Sequence, residues 1–165
     1  MRIKLSDIYF GFKNKEFTIR ARDLPCRDTA FRNSKVTVKL SAIEQKNQNY
    51  LRGNIKAEIE YICVRCLKKI PKNIDQPINV LILKNDLKNT TKSDLDILYV
   101  NKSSDCLDLK NLFADIIALA EPIQPLCKEQ CYGLCSICGA KKPILCNCHK
   151  HTNSPAWDKL KELHF

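Results

Sequence analysis

Hydrophobic and polar residues alternate with a period of two through much of the first half of the chain. The alternation covers residues 16–22 and 35–42, and it resumes after a polar turn at 45–49 and continues to Tyr61. Successive side chains of a strand lie on opposite faces of a sheet, so this pattern predicts strands with one buried and one solvated face. The second and third runs are predicted to form an antiparallel hairpin.

The second half of the chain contains weaker strand patterns and one clear helical pattern. Short strands are predicted at 78–83 and 97–100, separated by a polar loop at 84–94. A helix is predicted to begin near Asp108 as N-cap and to stop before Pro122. Its apolar positions recur at intervals of three and four residues and form a single stripe: Leu109, Leu112, Phe113, Ile116, Ile117 and Ala120. A second, shorter helix is predicted at 156–163.

Eight of the ten cysteines occur as four close pairs. The pairs are Cys63/Cys66, Cys127/Cys131, Cys135/Cys138 and Cys146/Cys148. Structural zinc sites commonly take two such pairs from separate segments, and they use four thiolates in a tetrahedron. Eight ligands are the number for two closed sites, which stabilise structure and leave no position open for catalysis. Gly139, directly after the third pair, is suited to the positive φ that closes such a turn.

The spacing of the pairs leaves two arrangements open. In the bridging arrangement, Cys63/Cys66 join Cys127/Cys131 in one site, and the last two pairs form a second, local site. In the alternative, residues 127–138 hold one metal ion with their four cysteines, and Cys63/Cys66 stay free. We favour the bridging arrangement because it leaves no pair unmatched. Cys63/Cys66 could instead be a redox pair, but no thioredoxin-like βαβ pattern surrounds them.

These features together predict an α+β fold. It combines an antiparallel β-sheet front, one long amphipathic helix and a cysteine-rich, zinc-stapled C-terminal module. We assign residues 1–104 to a basic β-rich region and residues 105–165 to the helix and cysteine-rich tail, packed together as one unit. Residues 125–155 contain too few aliphatic side chains for a core of their own, which is why they need a metal.

The positive charge is concentrated in the first part of the chain. The chain has 165 residues and a net charge of +10, of which +6 falls on residues 1–60, +3 on 61–100 and +1 on 101–165. A basic sheet surface can neutralise RNA phosphates. The RNA-binding candidates are basic residues of the front and of the first cysteine pair: Lys13, Lys15, Arg20, Arg22 and Arg65. The alternation of basic and aromatic residues in the β-rich region would also arise from a solvated polar face that covers core aromatic side chains and binds no RNA.

Other classes of protein are disfavoured. No apolar run approaches the ~18 to 20 residues of a membrane span, and Asp7 interrupts the stretch that a signal peptide would need. We therefore expect a cytoplasmic protein with no membrane partner. No nucleotide-binding, zinc-protease or serine-hydrolase motif is present, so we expect no enzymatic activity and no small-molecule substrate.

Three stretches of the chain resemble the YceD family of bacterial and plastid large ribosomal RNA subunit accumulation proteins. They are Cys63-Val64-Arg65-Cys66-Leu67 after an alternating strand, residues 108–127 and residues 131–139. The ending at 155–163 is also similar, except that the chain reads Ser154-Pro155-Ala156 where members often have Asp-Pro-Arg. The resemblance is specific over about 58–70 and 106–164.

The resemblance implies a role in the synthesis, processing or stability of large-subunit (23S) ribosomal RNA. The partners would be ribosomal RNA or pre-50S particles. A second hypothesis is a zinc-dependent adaptor that binds a ribosomal protein or a nuclease without contacting RNA.

Overall fold

The described part of the chain contains seven strands and two helices. The computed structural model describes residues 1–45, 48–84, 96–101, 104–142 and 148. A short 3₁₀ turn, Ala21–Asp23, follows the second strand. In chain order the elements are β1 (Arg2–Lys4), α1 (Leu5–Phe10), β2 (Phe12–Arg20), β3 (Lys35–Gln45), β4 (Gln48–Ile62), β5 (Lys69–Lys84), β6 (Asp96–Val100), β7 (Cys106–Asp108) and α2 (Lys110–Leu119).

Five of the strands form one sheet in the order β2-β3-β4-β5-β6, and β1 pairs with β7 in a separate two-stranded sheet. The predicted hairpin is confirmed, since β3 and β4 are antiparallel and Val38 lies opposite Ile55. Both of these side chains are fully buried. The alternating pattern therefore places one face of the sheet in the core and the other in solvent.

The predicted antiparallel sheet has one parallel pair, at its β6 edge. β6 runs parallel to β5, with Val80 opposite Asp96 and Lys84 opposite Val100. A parallel neighbour requires the chain to return to the same end of the sheet before the strand begins. The residues between β5 and β6, 85–95, lie outside the described residues, as does nearly all of the loop predicted at 84–94.

β5 begins nine residues earlier than the start predicted at Ile78. Pro71 and Pro77 lie within it, opposite Glu60 and Asn54 of β4. Proline cannot donate a ladder hydrogen bond and is confined to edges. Because β6 pairs only with residues 80–84, no other described strand covers that edge of the earlier part of β5, and the edge tolerates both prolines.

The predicted helix is present but shorter than the one long helix that we expected. α2 has ten residues, and its N-cap is Leu109 rather than Asp108. Asp108 still ends β7, so the chain is extended there, yet its carboxylate accepts a hydrogen bond from the backbone N–H of Lys110 at 3.1 Å. Phe113 and Ile117 of the predicted stripe are completely buried. The helix predicted at 156–163 lies outside the described residues.

Both helices pack on the buried face of the five-stranded sheet. α1 contacts β3 and β4, and α2 contacts β4 and β5. Ile8 of α1 and Phe113 of α2 belong to the same hydrophobic core as Val38 and Ile55. β7 leads directly into α2, and its pairing with β1 ties residues 2–4 to residues 106–108. Among the described residues, no helix has the length and apolar character needed to cross a bilayer.

Candidate metal centre

The first cysteine pair lies in a tight turn at the end of β4. The backbone N–H of Leu67 donates to the carbonyl of Cys63 at 2.9 Å, and the N–H of Cys63 donates to the carbonyl of Lys68 at 2.9 Å. Leu67 has a positive φ of 57°, which reverses the chain toward β5. Cys63 and Cys66 are both buried by this turn.

The segment after α2 crosses directly over this turn. The N–H of Val64 donates to the carbonyl of Pro125 at 3.0 Å, and the N–H of Leu134 donates to the carbonyl of Arg65 at 3.1 Å. The Arg65 guanidinium donates to the carbonyl of Cys131 at 3.0 Å. These three hydrogen bonds bring Cys127 and Cys131 to the first pair.

Four sulfur atoms meet at this crossing. The Sγ atoms of Cys63, Cys66, Cys127 and Cys131 all lie within 4.8 Å of one another. The Cys63–Cys131 separation is 3.8 Å, and the Cys66–Cys127 separation is 3.5 Å. We call these four residues the bridging cluster. It has the composition of the bridging arrangement, and it could hold a metal ion.

Two thiols of the bridging cluster, Cys63 and Cys127, have strongly shifted pKa values. Burial raises the pKa of Cys63, but hydrogen bonds from the backbone of Cys127, Cys66 and Arg65 outweigh it and lower that pKa to about 6. Hydrogen bonds with the thiols of Cys66 and Cys131, together with burial, raise the pKa of Cys127 to about 12. A bound metal ion would stabilise all four sulfurs as thiolates, because ligation couples metal binding to loss of the thiol protons.

A second group of cysteines lies nearby along the chain. The Sγ atoms of Cys135, Cys138 and Cys148 lie within 4.8 Å of one another, and we call these residues the tail cluster. The N–H of Ile137 donates to Cys135 Sγ at 3.4 Å, a bond that stabilises thiolate. Gly139 has the predicted positive φ, at 70°. Cys146, the predicted fourth ligand, lies outside the described residues.

The predicted RNA-binding residues lie in different places. Lys13 and Arg22 are exposed. Lys15 lies over the rings of Phe12 and Phe17, at 5.7 and 5.5 Å. Arg20 forms an ion pair with Asp23 at 3.0 Å. Arg65 lies apart from these front residues, beside the bridging cluster, where it binds Cys131.

The sequence analysis missed a group of lysines around the bridging cluster. Lys68, Lys128, Lys141 and Lys142 line a cleft that also contains Cys66, Cys127 and Cys131. The adjacent Lys141 and Lys142 were the sequence feature that could have revealed this group. It was obscured because acidic residues elsewhere in 101–165 reduce the net charge of that region to +1.

Comparison with known proteins places the chain in a family. The model of the family described as "Large ribosomal RNA subunit accumulation protein YceD" matches residues 51–164. That range begins within β4 and includes every cysteine of both clusters.

The curated relatives are uncharacterized. A protein of Mycobacterium leprae is 28% identical over 114 residues, covering 67% of this chain and 51% of its own length. A protein of Mycobacterium tuberculosis (strain H37Rv) is 29% identical over 117 residues, covering 67% of this chain and 53% of its own. The chain thus spans about half the length of these relatives. No solved structure matches it. Because the family model covers more than half of the sequence, including the bridging cluster, this chain belongs to the YceD family.

Proposed function

We propose that this protein is a non-enzymatic factor for the synthesis, processing or accumulation of large-subunit (23S) ribosomal RNA in the cytoplasm. Its partners would be ribosomal RNA or pre-50S particles. The observation that carries this proposal is the family match, which begins in β4 and runs through both cysteine clusters. Cysteines in closed metal sites would leave no coordination position for catalysis, which agrees with a protein that binds its partner rather than one that catalyses a reaction.

We further propose that both clusters hold structural zinc. Sulfur atoms ~2.3 Å from a tetrahedral zinc ion lie about 3.8 Å from one another. The measured separations of 3.8 and 3.5 Å in the bridging cluster fit this geometry. An all-thiolate donor set also favours zinc over hard cations such as magnesium. Cys146 would complete the tail cluster, in which the described residues supply three ligands.

The role in ribosomal RNA accumulation is tested by depleting the protein in its own host. Mature large-subunit RNA should fall relative to small-subunit RNA, and the wild-type gene should restore the ratio. A variant carrying Cys63→Ser and Cys66→Ser should fail to restore it, because the bridging site would be lost. An unchanged RNA ratio after depletion would refute the proposed function.

An adaptor for a ribosomal protein or a nuclease is the second candidate. Exposed apolar side chains at the end of α2 and in the segment that follows it favour the adaptor: Leu119 is 84% exposed, Ile123 is 98% exposed and Ile137 is 61% exposed. Apolar contacts persist at high salt, whereas phosphate contacts weaken. A protein complex that survives high salt, from a chain that does not bind RNA, would select the adaptor.

A further inference from the structure

A cleft of about 410 Å³ opens beside the bridging cluster. Two chain segments form it: the turn that carries Lys68, and residues 127–142, which carry Lys128, Lys141 and Lys142. Of the residues that the structure describes, no acidic one lines the cleft. All four lysines are exposed, so their ammonium groups can reach an anion that enters from solvent.

Within the described part of the chain, these four lysines have no carboxylate partner, whereas some lysines of the sheet do. On the sheet, Lys56 pairs with Asp75 at 3.1 Å and Lys69 pairs with Glu60 at 2.9 Å. Across the residues that the structure describes, no ion pair involves Lys68, Lys128, Lys141 or Lys142. Their charge is therefore available to a ligand without breaking an existing contact.

Stabilising the cysteine sulfurs is a competing role for these lysines. Backbone groups already perform part of it: the N–H of Ile137 donates to Cys135 Sγ at 3.4 Å, and backbone hydrogen bonding lowers the pKa of Cys63. The ammonium groups of the four exposed lysines are therefore available to a ligand from solvent.

An aromatic ring narrows the class of ligand. Tyr132 lines the same cleft and is 68% exposed. Proteins that bind single-stranded nucleic acid combine lysines or arginines along the phosphate backbone with exposed aromatic rings on which bases stack. An acidic protein surface would use the lysines and leave the ring without a stacking partner.

We infer that this lysine cleft binds a single-stranded segment of RNA, with its phosphates on the four lysines and a base on Tyr132. The inference rests on the proposed function and deepens it, since it assigns RNA contact to the cysteine module. The predicted front surface remains the alternative contact region.

Two charge-matched variants of the full chain separate these surfaces. The cleft variant carries Lys128→Ala, Lys141→Ala and Lys142→Ala, and the front variant carries Lys13→Ala, Lys15→Ala and Arg22→Ala. Each removes three positive charges from exposed side chains. Binding of a labelled single-stranded fragment of large-subunit ribosomal RNA is measured over a series of salt concentrations, with zinc content measured in parallel.

The cleft variant should bind the RNA at least ~10-fold more weakly, and the slope of log K against log salt should fall by about 2. The front variant should bind like the wild type, and both should retain their zinc. Equal weakening of the two variants, weakening of the front variant alone, or no weakening of either would overturn the inference. Retained RNA affinity with loss of a bound ribosomal protein would also overturn it and identify a protein as the occupant.

If the cleft variant loses zinc, its weaker RNA binding could result from misfolding, and a variant with unchanged charge then tests the cleft. Tyr132→Leu removes the aromatic ring and should weaken RNA binding by about tenfold. Unchanged affinity in this variant would contradict the inference. Because these measurements use purified protein and the depletion experiment is read in cells, the inference and the proposed function can fail separately.

Discussion

At the scale of single residues, two glycines are required for different physical reasons. Gly139 has a φ of 70°, and a Cβ there would meet no atom within 4 Å. Gly53 lies in β4 opposite Leu40, and a Cβ there would lie 1.8 Å from the Lys39 carbonyl oxygen. Gly139 therefore serves backbone conformation, whereas Gly53 serves the close approach of two strands.

Alanine substitution should distinguish these two roles. Gly53→Ala forces β3 and β4 apart and should lower the free energy of unfolding by about 3 kcal/mol or more. Gly139→Ala meets only the conformational penalty and should cost about 1 kcal/mol. Urea unfolding of the two variants measures both values. Similar losses in the two variants would show that the close approach at Gly53 is relieved at little cost.

The local geometry of the cysteine pairs could be predicted from the sequence to a limited extent. The positive φ of Gly139 followed from its position directly after Cys138. No sequence feature predicted the positive φ of Leu67, because leucine has no preference for that conformation. No sequence feature predicted the contacts of Arg65 either, since its hydrogen bond to Cys131 joins residues 66 positions apart.

At the scale of elements, α2 contributes to the core through one face. Phe113 is completely buried in the core shared with the sheet, whereas Leu119 at the end of the same helix is 84% exposed. The stripe of apolar residues predicted this orientation, because neighbours three and four residues apart share a helix face.

Phe113→Ala should lower the free energy of unfolding by about 3 to 5 kcal/mol, because it leaves a cavity among close-packed side chains. Leu119→Ala is the matched control on the same helix and should change stability by less than about 0.5 kcal/mol. Denaturant unfolding monitored by circular dichroism compares the two. A small effect of Phe113→Ala would mean that α2 is not anchored to the sheet by this face.

Strong periodic patterns predicted β3, β4 and α2, and tertiary context determined the rest. α1 has six residues, which is too few to establish a helical period. The early part of β5 has isoleucine only at every fourth position, and the polar Lys72 and Gln76 lie between these isoleucines on the same face, so the alternation that predicts a strand is incomplete. The parallel edge strand depends on the path of the chain between β5 and β6, which local pattern does not specify.

At the scale of the whole molecule, the bridging cluster joins distant parts of the chain. Cys66 and Cys127 are 61 positions apart in sequence, and their sulfur atoms are 3.5 Å apart. Spacing identified the cysteine pairs, but it left two arrangements open because it carries no information on which pairs meet. The lysine cleft was missed for a similar reason, since net charge over a long region does not reveal a local cluster.

The central claim is that Cys63 and Cys66 hold a metal ion together with Cys127 and Cys131. It is tested most directly by measuring zinc per chain in three purified proteins: the wild type, Cys63→Ser with Cys66→Ser, and Cys26→Ser with Cys106→Ser. Cys26 and Cys106 are exposed and belong to neither cluster, so they provide the matched control. We expect two zinc ions in the wild type and in the control, and one in the Cys63/Cys66 variant. Two zinc ions in the Cys63/Cys66 variant would contradict the bridging site.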